Sequence, residues 1–245
     1  MNADKPVSPT RAIEVRGLEK SFGEHLALCG IDLGVNPGEC LVIFGPNGAG
    51  KTTLLKIMST LLKPSAGRVF LDGIDIRDKP TEIRRKLSLV SHQTFLYDDL
   101  TIFENLKFYA KMYDIGDADK RIREVVAWAQ LESRVHDKVG TLSRGLQQRA
   151  SLARAVLHNP SFLFLDEPEV GLDPHASDMV RDVLSDNDYG SRTVVITTHN
   201  LERGLKLGDR IAIVHKGKIV YRVSGQELAG LDFREIYDRY TGTGR

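Results

Sequence analysis

Residues 45–52 read Gly-Pro-Asn-Gly-Ala-Gly-Lys-Thr, a stretch of the form G-x-x-x-x-G-K-[ST]. It follows the apolar run Leu41-Val42-Ile43-Phe44 and precedes residues 53–58, whose apolar spacing suits a helix. Strand, glycine-rich turn and helix, in that order, is what an anion-cradling loop requires. The glycines let the backbone close around a phosphate where a Cβ would clash or forbid the needed φ. Successive N–H groups and the positive end of the helix dipole then face the anion. Lys51 is placed to reach β- and γ-phosphates, and the Thr52 hydroxyl to ligate Mg²⁺. Chance produces the four fixed positions in roughly one chain in a hundred of this length. The flanking strand and helix therefore carry the argument, and they imply a nucleotide-binding α/β unit.

A chain of 245 residues supports one sizeable core, or a core with a small subdomain. Lys+Arg is 34 and Asp+Glu is 33, a formal charge of +1, so no global field draws in nucleic acid or anionic lipid. Hydrophobic content of 41% and charged content of 27% are ordinary for a globular protein. The longest apolar stretches, such as 41–44 and 162–165, are far too short to span a bilayer. Residues 1–10, polar and carrying Pro6 and Pro9, read as a loose tail rather than a leader. Cys29 and Cys40, in strand-like surroundings, read as small hydrophobes rather than a disulfide. The histidines show no metal-ligand spacing. The expectation is a soluble cytosolic protein.

Along the chain, strands are expected at 12–18, 26–35, 40–44, 68–71 and 87–91, with turns at Gly23 and Asn36-Pro37-Gly38. From about 95 to 158 the pattern turns helical. Thr101 is suited to cap a helix, and 121–129 is amphipathic. Strand and helix alternate again at 162–165, 175–184, 193–197, 210–214 and 218–223, and 232–240 reads as a terminal helix. The pattern predicts a parallel α/β core over 12–94 and 159–223, with an antiparallel β start, a helical insert at 95–158 and a helical tail over 224–245.

Three further features belong with the loop. Phe162-Leu163-Phe164-Leu165 leads into Asp166-Glu167, so a buried strand delivers two carboxylates to the sheet edge where the loop lies. Asp166 suits Mg²⁺, and Glu167 can orient or deprotonate an attacking water. A second buried run, 194–198, ends at His199, which on the same edge can touch a γ-phosphate. Ser143-Arg144-Gly145 opens a helical run and forms a second anion-binding helix start. One nucleotide already has its helix terminus at Lys51-Thr52, so this second site calls for another phosphate or another chain.

With these motifs in view, the chain resembles the nucleotide-binding subunits of ATP-binding-cassette (ABC) transporters over about residues 13–242. The family's Walker A falls on Gly45, Pro46, Asn47, Gly48, Ala49, Gly50, Lys51 and Thr52, with Thr53 adjoining, and its Walker B on 162–167. Its adenine-stacking aromatic matches Phe22, its Q-loop glutamine Gln93, its switch histidine His199 and its D-loop Gly171-Leu172-Asp173. The signature Leu-Ser-Gly-Gly-Gln stands here as Leu142-Ser143-Arg144-Gly145-Leu146; Arg144 and Leu146 depart from it, and Glu169 stands where a neutral residue is common.

The resemblance implies an active P-loop ATPase that uses ATP and Mg²⁺. The metal would be held by Thr52, Gln93 and Asp166, and catalysis would rest on Glu167, His199 and Gln93. It also implies a head-to-tail dimer in which Ser143 and Gly145 of one copy complete the ATP site of the other. Transmembrane permease subunits would dock beside the helical insert near Gln93, Phe95 and Tyr97, which places the chain peripherally on the cytoplasmic face of the membrane. No nucleic-acid partner is expected. Phe103 and Phe108 read as packing inside the insert, whereas Phe95 and Tyr97, beside Asp98 and Asp99, read as partly exposed.

Segments 90–100 and 142–145 look most like the ATP-binding subunit of the haem exporter of cytochrome c maturation, while 236–242 looks like the ending of exporter subunits for drugs, lipids or polysaccharides. The alternative is a soluble relative serving iron–sulfur cluster assembly. A DNA-repair ATPase would separate the Walker motifs by a long coiled coil, which this chain lacks.

Overall fold

Short, nearly continuous apolar runs organise the protein around a six-stranded sheet. The computed structural model describes residues 11–168, 179, 192–228 and 231–242. Within them the strands are β1 Ile13–Phe22, β2 His25–Val35, β3 Cys40–Phe44, β4 Ala66–Leu71, β5 Ile74–Asp75, β6 Leu87–Val90, β7 Phe162–Asp166, β8 Thr193–Thr198, β9 Arg210–His215 and β10 Lys218–Ser224. The helices are α1 Lys51–Met58, α2 Pro80–Lys86, α3 Ile102–Met112, α4 Ala118–Trp128, α5 Arg144–Val156, α6 Leu201–Leu205 and α7 Phe233–Thr241.

The large sheet runs β10-β9-β3-β8-β7-β6, parallel throughout except for β10 at its edge. A second, antiparallel sheet runs β2-β1-β4-β5. Every residue of β3, β7 and β8 is buried, as a parallel sheet covered on both faces requires. The period of two assigns the faces. Val42, Phe44, Leu163, Leu165, Val194 and Ile196 face an apolar cluster shared with α3, α4, α5 and α7. Leu41, Ile43, Phe162, Phe164 and Val195 face the other, shared with α1 and the antiparallel sheet. The helices of the insert thus share their apolar cluster with one sheet face.

Registers bring the chemistry to one edge. Phe44 pairs with Thr198, Thr197 with Asp166, and Leu165 with Val90. β3, β8, β7 and β6 therefore end together, and the loops that follow them meet at the carboxyl edge where α/β sheets form their crevices.

The fold is the expected α/β arrangement with its antiparallel start. Thr101 closes a full capping box on α3: its hydroxyl accepts from the Glu104 N–H at 3.1 Å, and the Glu104 carboxylate accepts from the Thr101 N–H at 2.8 Å. β5, α2 and α6 were not expected. Each is short, and α2 buries only Ile83, too little for a periodic signal. Of the expected helix at 175–184 only Met179 is described, and it is buried. Residues 1–10, Glu169 and the 171–173 segment lie outside the described residues. Cys40 is buried, and burial pushes its thiol pKa to about 12; Cys29 is half-buried, and the two are unbridged. No helix among the described residues is long and apolar enough to cross a membrane.

Candidate active site

The loop after β3 wraps as a phosphate cradle. Gly50, at φ 106°, is the N-cap of α1, and a Cβ there would meet the Ala27 carbonyl at 2.7 Å. No side chain caps α1 and no acid sits in its first turn, so its N–H groups and dipole are free for an anion. The Gly217 N–H ties the loop down through the Ala49 carbonyl at 3.0 Å. Lys51 is almost wholly buried, and its ammonium donates to the carbonyls of Gly45 (2.7 Å) and Pro46 (3.2 Å). The loop thus holds the cation that would face the phosphates.

β8 lies between β3 and β7, and it aligns the acids. Buried Asp166 accepts hydrogen bonds from the Thr197 hydroxyl at 2.6 Å and the Thr52 hydroxyl at 3.1 Å. Directly after the strand the backbone turns left-handed at Glu167, φ 48°, and the Glu167 N–H donates to the Thr197 carbonyl at 2.9 Å. The turn swings the Glu167 carboxylate to 3.5 Å from the Lys51 ammonium and 3.2 Å from His199 Nδ1. Loop lysine, strand-end glutamate and the histidine after β8 therefore form one chain of contacts.

A cavity of about 540 Å³ opens in front of these groups, lined by residues 47–53, Asp166, Glu167, Phe22, His25, Ala27 and His92. Phe22 is half exposed, so it is not a core residue; Lys20 Nζ stands 5.1 Å from its ring centroid and His25 pairs with it across the hairpin. The cavity thus runs from the exposed ring of Phe22 to the loop around Lys51.

Gly45, Pro46 and His199 adjoin the lining through their contacts with Lys51 and Glu167 rather than forming it, and three further expected residues stand apart. Gln93 is exposed and is not among the lining residues. The Ser91 hydroxyl binds both its N–H (3.2 Å) and its carbonyl (3.1 Å), and the turn so formed brings its neighbour His92 to the cavity instead. Ser143 caps α5, accepting from the Leu146 N–H at 3.4 Å, and neither it nor Gly145 lines the cavity of its own chain. His25, His92 and Thr197 escaped the sequence reading. His92 had a signal, since it adjoins Gln93 at the end of a strand. Thr197 had none, since its pairing with Asp166 is set by the sheet register.

Phe103 packs half-buried against the insert's cluster as expected. Phe108 does not: it is 44% exposed and stands edge-on to Tyr97, 5.4 Å away, because α3 turns it toward solvent. Phe95 is half-buried, held by the Tyr109 hydroxyl on its carbonyl, and it lines a second cavity of about 380 Å³ together with Tyr109, Met112, Leu61 and Arg154.

The sequence model of the family described as "ABC transporter" matches residues 28–170. The Nod factor export ATP-binding protein I of Burkholderia lata is 35% identical over 95% of this chain and 77% of its own length. The daunorubicin resistance ATP-binding protein DrrA3 of Streptomyces coeruleorubidus is 36% identical over 89% of this chain and 69% of its own. Among solved structures, a dimeric ATP-binding cassette in a post-hydrolysis state, bound to ADP and Pi, is 30% identical and superposes with a TM-score of 0.78 over 86% of this chain and 98% of that one.

Proposed function

The chain belongs to the ABC transporter family, and from that premise we propose that it is the ATP-hydrolysing motor of a membrane exporter. It is an ATPase of the ABC type. The observation that carries the assignment of roles is the contact chain Lys51–Glu167–His199 beside the Thr52–Asp166 pair.

In this reading the α1 N–H groups and Lys51 hold the phosphates, and Phe22 stacks on adenine. Glu167 orients the attacking water and takes its proton, while His199 fixes the Glu167 carboxylate and faces the γ-phosphate. Thr52 and Asp166 offer two hard oxygen donors 3.1 Å apart, a set that fits Mg²⁺ sharing substrate phosphates and water. When bound, that ion would neutralise charge developing on the transferred phosphoryl group. Gln93 would join this shell only by turning inward. Ser143 and Gly145, away from their own chain's cavity, would serve the site of a second copy arranged head to tail.

The membrane subunit docks beside the insert. Tyr97 and Phe108 stand exposed together, and Phe95 lines the adjacent cavity, a surface of aromatic anchors suited to a short partner helix. So docked, the chain sits peripherally on the cytoplasmic face. The relatives' names, Nod factor export and daunorubicin resistance, support export of an organic small molecule; neither is named for haem. Phe95→Ala/Tyr97→Ala should fold and bind ATP but lose copurification with the membrane subunit from detergent extract. Undiminished recruitment and transport would contradict the docking site, and recovery of wild type with a soluble scaffold alone would favour the iron–sulfur assembly role.

A further inference from the structure

The cavity behind Phe95 holds a charge that no described residue of its own chain neutralises. Arg154, on α5, lines this cavity and is only 6% exposed. One guanidinium nitrogen donates to the Leu89 carbonyl at 2.6 Å, while Nε has no hydrogen-bond partner. Among the described residues no carboxylate pairs with it. The rings of Phe95 and Tyr109 each lie 5.5 Å away and offer only their faces.

Burial lowers the Arg154 pKa from its usual value, yet a guanidinium keeps its proton throughout the range in which proteins fold. The charge therefore persists in a desolvated position, where an unpaired ion is strongly unfavourable. Arg84 and Arg85 line the same cavity, and among the described residues no acid does. Both are exposed to water, and Arg85 already has Asp114 at 2.6 Å. Ser88, also on the lining, has a buried hydroxyl with no partner.

We propose that this cavity receives a carboxylate side chain from the docking segment of the membrane subunit, and that this carboxylate pairs with Arg154. The inference rests on the docking reading above and adds the chemistry of the contact. Leu61 and Met112, both about half exposed, also line the cavity. An acid carried among apolar residues of a helix suits such walls, whereas a hydrated free anion does not. The pairing also has a path to the nucleotide. Ser143 caps the same helix eleven residues earlier, about 16 Å along a rigid rod, and the Ser151 hydroxyl ties that helix to the Thr94 carbonyl at 3.1 Å.

The test uses the chain copurified with its membrane subunit. Arg154→Met keeps an apolar stem and removes the charge, so the isolated variant should melt at or above wild type. Its affinity for the membrane subunit should fall about 30-fold or more, and Arg154→Lys should retain part of the binding. Replacing one cytoplasmic Asp or Glu of the membrane subunit by its amide should reproduce the loss, and combining it with Arg154→Met should add little. Arg154→Met that binds the membrane subunit as tightly as wild type overturns the proposal. So does a variant that melts lower but binds normally per folded molecule. Millimolar inorganic phosphate that raises the melting temperature of wild type but not of Arg154→Met would assign the cavity to a free anion and likewise overturn it. If wild type itself copurifies with no membrane protein, the docking reading fails first.

Discussion

Glu167 shows how one backbone angle positions a reactive group. Had the chain continued as a strand, its side chain would have followed the sheet's alternation; at φ 48° it leaves the sheet and meets Lys51 and His199. Such a conformation in a residue other than glycine is a local strain that the surrounding contacts hold in place. Glu167→Gln keeps the shape and removes the base, so ATP binding should persist while turnover falls by roughly 10²-fold or more. Single-turnover hydrolysis at normal rate would sink the assignment. Phe22 makes a separate prediction. Its exposure and its place on the cavity give Phe22→Ala a several-fold weaker ATP affinity at unchanged melting temperature, from losing a stacking contact worth about 0.5–1.5 kcal/mol. Melting at lower temperature with normal affinity per folded molecule would make Phe22 structural instead. At this scale the sequence pointed to the residue types, because lysine, acids and histidine followed glycine-rich or apolar runs. It did not reveal His25 or Thr197, whose places arise from strand pairing rather than from local pattern, and His92 was passed over although it adjoins Gln93.

Among the elements, α5 connects most of the machinery: Ser143 at its start, Arg154 near its end, and His158 just beyond. His158 stacks flat on Tyr113 at 3.8 Å and donates from Nε2 to the Leu87 carbonyl at 3.2 Å, which places the ring proton on Nε2. Burial above all lowers its pKa from 6.5 to about 4; the Leu87 bond opposes it, and the nearby Arg154, Arg192 and Arg121 add smaller downward effects. The folded-state value is depressed, so above pH 6.5 the ring is neutral both folded and unfolded and pH has no leverage here. As pH falls through 6.5 the unfolded chain takes up a proton that the folded ring refuses, and stability drops until about pH 4, by about 3 kcal/mol in all. His158→Gln, able to donate the same bond, should lose that acid slope between pH 6.5 and 4 in urea unfolding. An unchanged slope would place the titrating group elsewhere. Elements with strong periodicity or caps were legible in the sequence, β3 over its whole length and α3 at its capped start. The short α2 and α6 were not, since tertiary packing rather than an apolar repeat sustains them.

At the scale of the whole molecule, the proposed composite site takes two copies. The cavity of one chain has the phosphate loop, the acids and Phe22 but lacks Ser143 and Gly145, and a cassette 30% identical to this chain is dimeric in its ADP- and Pi-bound structure. In the sequence, the second anion-binding helix start at Ser143 called for another phosphate or another chain, and only the family resemblance implied the second copy. What the membrane subunit carries was not legible, as no residue of this chain is assigned to cargo. The most direct measurement mixes two inactive variants. Lys51→Ala loses the phosphate grip of its own chain, and Ser143→Arg spoils the contact it gives to its partner. A random mixture makes half the dimers mixed, each with one intact site, so steady-state hydrolysis should recover to about a quarter of the wild-type rate. Recovery of that order, absent from either variant alone, is the predicted result; a mixture as inactive as its components, despite dimers shown to form and exchange, would contradict the composite site.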